Sequence, residues 1–141
     1  MPLLRYTTTI VATKTALEIQ GILASHGATA TLTEFKDGEV VAISFKVKTA
    51  SGELPFKIPV NADAVLEVLK RGKAPLRYQN REHAVRVAWR IAKVWLEAQM
   101  AIVETGMVKM DEVFMPYMML GSKTLYQLIS TGKLQLPSPQ E

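Results

Sequence analysis

The segment REHAVRVAWRIAKVWLEAQMAIVETG, residues 81–106, reads as one long helix that is apolar on most of its circumference. At helical spacing Ala84, Ala88, Ile91, Trp95, Ala98 and Ile102 form one row, and Val85, Trp89, Ala92, Leu96 and Val103 the next. Val87, Val94 and Ala101 make a third apolar side. A helix with so little polar surface has to run through the middle of a domain or be buried between subunits. The rest of the chain must therefore be arranged to cover it. Asn80 is placed to cap its start and Gly106 to stop it.

The segments before it supply a small sheet. LLRYTTTI (3–10) alternates as a first strand, with Leu4, Tyr6, Thr8 and Ile10 on one face. TALE (15–18) has the form of a capping box, Thr15 opening a helix and Glu18 reaching back to it. That helix carries Leu17, Ile19, Ile22 and Leu23 inward and ends at Gly27. A strand over 28–35, the Asp37-Gly38 turn and an alternating strand over 40–48 make a hairpin, with Val41, Ile43, Phe45 and Val47 on one face. LPFKIPV (54–60) is a further strand, and Pro55 and Pro59 mark it as an edge. Asn61 caps a helix over 62–71 that Gly72 closes. Beyond the long helix, Asp111 opens a short helical turn and Ser122 caps a last helix that Gly132 stops. The order β-α-β-β-β-α followed by helices predicts an α+β fold. Residues 1–72 form the sheet unit, 80–131 the helical unit and 132–141 a tail, the two units making one compact body.

Charge is placed unevenly. Between residues 70 and 93, Lys70, Arg71, Lys73, Arg77, Arg81, Arg86, Arg90 and Lys93 face a single acid, Glu82. That stretch is +7 in a chain of net charge +4, so the remainder is −3. Such asymmetry favours an anionic partner. Arg86, Arg90 and Lys93 lie with Glu97 and Glu104 on the one polar stripe of the long helix. The plain reading is that these long side chains solubilise its only free edge. The sharper reading is a binding stripe, Arg77, Arg81, Arg86, Arg90 and Lys93, with Tyr78 as an adjoining stacking surface.

GMVKMDEVFMPYMMLG (106–121) holds five of the seven methionines. The plain reading makes it a lid on the long helix with Phe114 and Tyr117 as anchors. The alternative is that Met107, Met110, Phe114, Met115, Tyr117 and Met118 form an apolar contact for a partner or a second copy, a use that flexible methionines suit.

Chemistry is thin. The chain has no cysteine, which excludes disulfides and thiolate metal sites and fits a reducing compartment, the cytoplasm. His26 and His83 lack neighbours at metal-ligand spacing, and there is no phosphate loop or nucleophile motif. Neither a metal nor a cofactor is therefore expected. No apolar run is long enough to span a bilayer, so no membrane association is expected, and the N-terminus reads as mature protein. Glu34, Asp37 and Glu39 gather at a hairpin, where turn chemistry explains them; a hydrolase built on Glu34 or Asp37 is a residual option.

The strings EIQGILASHGA (18–28), FKIPVNADAVLEVL (56–69), AVRVAWRIAKVWLEAQMA (84–101), DEVFMPY (111–117) and TLYQL (124–128) resemble a family of small proteins encoded by phages and prophages. The resemblance runs over nearly the whole chain. It implies an accessory role in the host cytoplasm, and carries across no catalytic motif and no functional residue. In size and basic character the chain is also similar to phage inhibitors of host RNA polymerase, an analogy of composition only. The leading expectation is a non-enzymatic protein that binds a host macromolecular machine, in transcription or antiviral defence, through an acidic surface of that machine. The alternatives are capture of nucleic acid or a nucleotide signal by the same basic zone, and a structural homo-oligomer paired through the long helix.

Overall fold

A computed structural model describes residues 2–135, 137 and 138. Helix α1 (Ala12–Ser25) leads into a three-stranded antiparallel meander of β1 (Ala28–Lys36), β2 (Glu39–Thr49) and β3 (Gly52–Lys57), in the spatial order β1-β2-β3. Helix α2 (Ala62–Arg71), a 3-10 turn (Leu76–Tyr78) and the long α3 (Arg81–Glu104) follow. The chain closes with α4 (Met110–Val113), a 3-10 turn (Met115–Tyr117), the small hairpin β4 (Met119–Leu120) and β5 (Lys123–Thr124), and α5 (Leu125–Ser130). The fold is α+β, as the element pattern predicts. Among the described residues no helix is long and apolar enough to cross a membrane.

The expected first strand does not form. Residues 3–10 fold into turns closed by Tyr6 N–H to Leu3 O and Thr8 N–H to Arg5 O, with Arg5 at φ 63°. His83 on α3 holds the carbonyl of Tyr6 instead, so the segment is tied to a helix and not to a sheet edge. The element order is thus α-β-β-β-α.

The capping box is also corrected. Helix α1 starts four residues earlier, after Val11, so Thr15 lies inside it and is fully buried. Leu17, expected inward, is 69% exposed. Ile19 and Leu23 are buried as the pattern requires.

In β2 the alternation breaks once. Ile43, Phe45 and Val47 face the core, but Val41 faces out while Val40 and Ala42 are buried. The register with β1 slips there, Glu34 opposing Ala42 and Phe35 opposing Val40, so Val41 is the unpaired residue of a bulge. Beyond a bulge the side-chain parity inverts, a reversal invisible to a strict alternation count. Asp37 (φ 52°) and Gly38 (φ 79°) make the left-handed pair of a tight hairpin turn. Pro55 lies opposite Lys46 on the edge strand β3, as its missing donor requires.

The core joins the two halves of the chain: Ile19 and Leu23 of α1, Ile43, Phe45 and Phe56 of the sheet, Val85, Trp89 and Leu96 of α3, and Phe114. The Trp89 indole N–H donates to the Val40 carbonyl at 3.2 Å, so the largest buried side chain leaves no polar atom unpaired. Asn61 and Asn80 cap α2 and α3 by accepting from Ala64 N–H and His83 N–H. Two later caps differ from expectation. The Lys109 N–H donates to Glu112 at the start of α4, and Thr124 with Gln127, not Ser122, forms the box that opens α5.

The methionine segment is mostly lid. Phe114 is buried against Phe45, Phe56 and Trp95, with ring centroids 5.1, 6.2 and 5.7 Å away. Met110 is buried, and Tyr117 packs edge-on against Trp95. Met115 and Met118 are half-buried, and Met118 bridges to Phe56 across the far edge of β3. Met107 alone of the six is widely exposed, at 71%.

Candidate anion-binding surface

The polar stripe of α3 faces acids of the same chain. Arg90 Nη1 donates to Glu18 Oε1 at 2.7 Å and to Thr15 Oγ1 at 3.2 Å. Lys93 Nζ approaches the same Glu18 oxygen at 3.3 Å and Glu97 at 3.9 Å. Arg86 pairs with Glu82 at 2.7 Å, one turn back on its own helix. Arg81 is held by Glu39 at 3.0 Å and by Asp63. Arg86, Arg90 and Lys93 are each half-buried. Burial raises the Glu18 carboxyl, but hydrogen bonds and charge from Arg90 and Lys93 outweigh that and hold it below its usual range. Arg90 and Lys93 of the stripe thus form an ion cluster with Glu18 between α1 and α3, and of the five predicted binding cations only Arg77 is exposed and outside an ion pair among the described residues.

Glu18 was legible in principle. It falls between Thr15 and Ile22 on the inward side of α1, and a carboxylate on a helix's core face needs a cation opposite. Asp63 neutralises Arg81, one step before the stripe.

Within the basic segment 70–93, the cations outside ion pairs among the described residues lie upstream of the stripe. Lys70 and Arg71 occupy the last turn of α2, where positive charge complements the carbonyl end of the helix. The helix closes with Gly72 N–H on Val68 O and Ala74 N–H on Leu69 O at 3.0 Å, the second being the six-residue bond of a Schellman end. The residue this geometry sets in the left-handed region is Lys73, at φ 55°, while Gly72 sits at φ −81°. Glycine is favoured at such a position, and a lysine there costs about 1 kcal/mol. Pro75 then starts the 3-10 turn that carries Arg77, whose guanidinium stands 4.7 Å from the centre of the Tyr78 ring. Lys70, Arg71, Lys73 and Arg77 are all exposed, and none joins an ion pair among the described residues.

Beside them is a cleft of about 280 Å³ between the N-terminal turns and the end of α2, lined by Pro2, Leu3, Tyr6, Leu69, Lys73 and Pro75 among others. Tyr6, one of its lining residues, ends an aromatic stack. Tyr78 lies against the His83 ring at 4.6 Å, and Tyr6 meets Tyr78 edge-on at 5.7 Å. Tyr78 thus carries His83 and Arg77 as stacking neighbours and is committed to the fold.

His26 Nε2 donates to Glu104 Oε2 at 2.6 Å and Nδ1 to the Ile22 carbonyl at 2.8 Å, joining the ends of α1 and α3. Among the described residues no three of His, Asp and Glu gather closely enough to hold a metal ion. Glu34 and Asp37 lie on an exposed hairpin. Comparison of the chain with protein-family models, with curated proteins and with solved structures returns no match.

Proposed function

We propose that this protein is a non-enzymatic binding protein that docks an acidic surface of a larger macromolecule at the α2–α3 connection. Lys70, Arg71, Lys73 and Arg77 make the electrostatic contact, and the apolar wall of the adjoining cleft gives it a fixed register. The observation that carries this reading is Lys73. A cation kept in a left-handed backbone position, one residue after a glycine that would fill it without strain, is a local cost without local return. The resemblance to phage-encoded proteins supplies the setting, an accessory protein acting on a host machine of transcription or antiviral defence.

A protein surface fits better than a nucleic acid. Nucleic-acid grooves of this size rely on aromatic faces open to stack on bases. Here Tyr78 is already stacked with His83 and Arg77. The four cations are also close in sequence, and Lys73 among them lines the largely apolar cleft.

The test is affinity capture from host lysate with the wild type and a Lys70→Glu/Arg71→Glu/Lys73→Glu variant, with and without nuclease. The reading expects a protein partner that survives nuclease, is lost with the variant and weakens as salt rises. Recovery that disappears with nuclease would assign the surface to nucleic acid. Reversal of Arg86 and Arg90, by contrast, should disturb folding before it disturbs binding.

A further inference from the structure

The two edges of the three-stranded sheet are treated differently. The β3 edge is blunted: Pro55 has no donor, and Phe56 is bridged by Met118. The β1 edge has neither device. It runs for nine residues, ATATLTEFK, without proline, and among the described residues no backbone hydrogen bond from an element other than β2 reaches it. Residues 3–10, which the alternation pattern places in the sheet, are held at α3 instead and leave this edge open.

Exposed apolar side chains flank that edge on both faces. Leu32, opposite Ser44, lies on the outer face and is 59% exposed. Phe35, opposite the buried Val40, lies on the inner face and is 58% exposed. The Gln20 amide of α1 bonds the Thr33 hydroxyl, so the neighbouring Leu17, one turn back along an antiparallel helix, stands on the same side as Phe35. The Ala30–Leu32 stretch also opens onto a groove of about 490 Å³ that crosses the outer sheet face to Pro55 and Met119.

We infer that β1 pairs antiparallel with β1 of a second copy of this chain, making a continuous six-stranded sheet across a two-fold axis. Charge selects this occupant. The strand carries one acid, Glu34, and one base, Lys36, so two copies of the edge bring no net repulsion. An axis through Leu32 uses the regular stretch of the strand, inside the register slip at Thr29. It sets Leu32 against Leu32 of the second copy, Thr31 against Thr33 and Ala30 against Glu34. No like charges face each other, and the contact is the same patch on both subunits, as a closed dimer requires. The pairing satisfies the free backbone groups of both strands and covers Leu32, Phe35 and Leu17. It leaves the cations of the α2–α3 connection outside the interface, so it stands or falls separately from the binding proposal above.

Sedimentation velocity at rising concentration tests it on the full chain. The wild type should pass from the mass of one chain to that of two. Leu32→Lys and Leu32→Glu should each remain monomeric with unchanged circular dichroism, because position 32 is exposed. An equal mixture of the two variants should recover the mass of two chains, since the axis sets position 32 against itself. A wild type that stays monomeric at every concentration overturns the proposal. So does a dimer that survives both Leu32→Lys and Phe35→Lys, or a charge-swapped mixture that stays monomeric. Should Leu32→Lys fail to fold, Phe35→Lys decides: loss of the dimer supports the pairing and its persistence refutes it.

Discussion

Arg90 of α3 donates to Glu18 of α1 at 2.7 Å across 72 residues of sequence. Lys93 draws on the same oxygen, so one carboxylate serves two half-buried cations. Glu18→Gln should therefore destabilise the fold by about 1–2 kcal/mol, more than an exposed pair and less than a fully dry one because solvent reaches Glu18. A lower urea midpoint at unchanged slope is the expected record. The acid response follows from the lowered Glu18 carboxyl. Its contribution is complete above the unfolded carboxyl range, near pH 4.5, and is lost as pH falls through the folded value. The Glu18→Gln protein should lose stability less steeply than the wild type over that interval.

His26 has the opposite sign. The hydrogen bond to Glu104, then the bond to the Ile22 carbonyl, raise its pKa against the opposing effect of burial. A raised pKa gives stability that is full below the unfolded histidine range, about pH 6.5, and declines as pH rises through the folded value. Glu104 is mostly exposed, so the effect stays below about 1 kcal/mol. Nuclear magnetic resonance titration of the His26 ring should show its pKa fall in Glu104→Gln, and thermal melts of that variant should lose the decline between pH 6 and 8.

Phe114 and Met107 separate the two readings of the methionine segment. Phe114→Ala removes a ring packed on three other aromatic side chains and should destabilise by about 3–5 kcal/mol. Met107→Ala should change stability by no more than about 0.5 kcal/mol. Comparable losses for both would mean that the segment packs quite differently.

Much of the fold was legible because its signals are local. The Asn61 and Asn80 caps, the Asp37-Gly38 turn, the edge proline at 55 and the apolar rows of α3 each depend on residues within a turn or a pair of strands. What failed depends on distant partners. Nothing near Tyr6 announces that His83, on α3, will take its carbonyl in place of a strand neighbour. Thr15 and Glu18 match a capping box by spacing, yet both are used by Arg90. The same gap displaced the candidate site. Charge density singles out residues 70–93, but which of those cations is free depends on where Glu18, Glu39 and Asp63 arrive. Lys73 was obscured for another reason: a glycine beside it looked like the helix stop, and only the backbone angles show the left-handed residue to be the lysine.

His83 is the hinge between the N-terminal turns and the rest of the chain, and two substitutions divide its work. Its Nε2–H donates to the Tyr6 carbonyl, and its ring lies on Tyr78. His83→Phe keeps a ring for the stack but loses the donor, and should cost about 1 kcal/mol, the worth of one net hydrogen bond. His83→Ala loses both and opens space beneath Tyr78, so its cost should reach about 2–3 kcal/mol. Hydrogen exchange locates the effect. In both variants the amides of Tyr6 and Thr8, which close the N-terminal turns, should lose protection before those of β2. Only in His83→Ala should the loss spread to Tyr78 and Gln79, whose 3-10 bonds rest on the stacked ring. Equal exchange patterns in the two variants would mean that the stack contributes nothing, and that the Tyr6 bond alone fixes the segment.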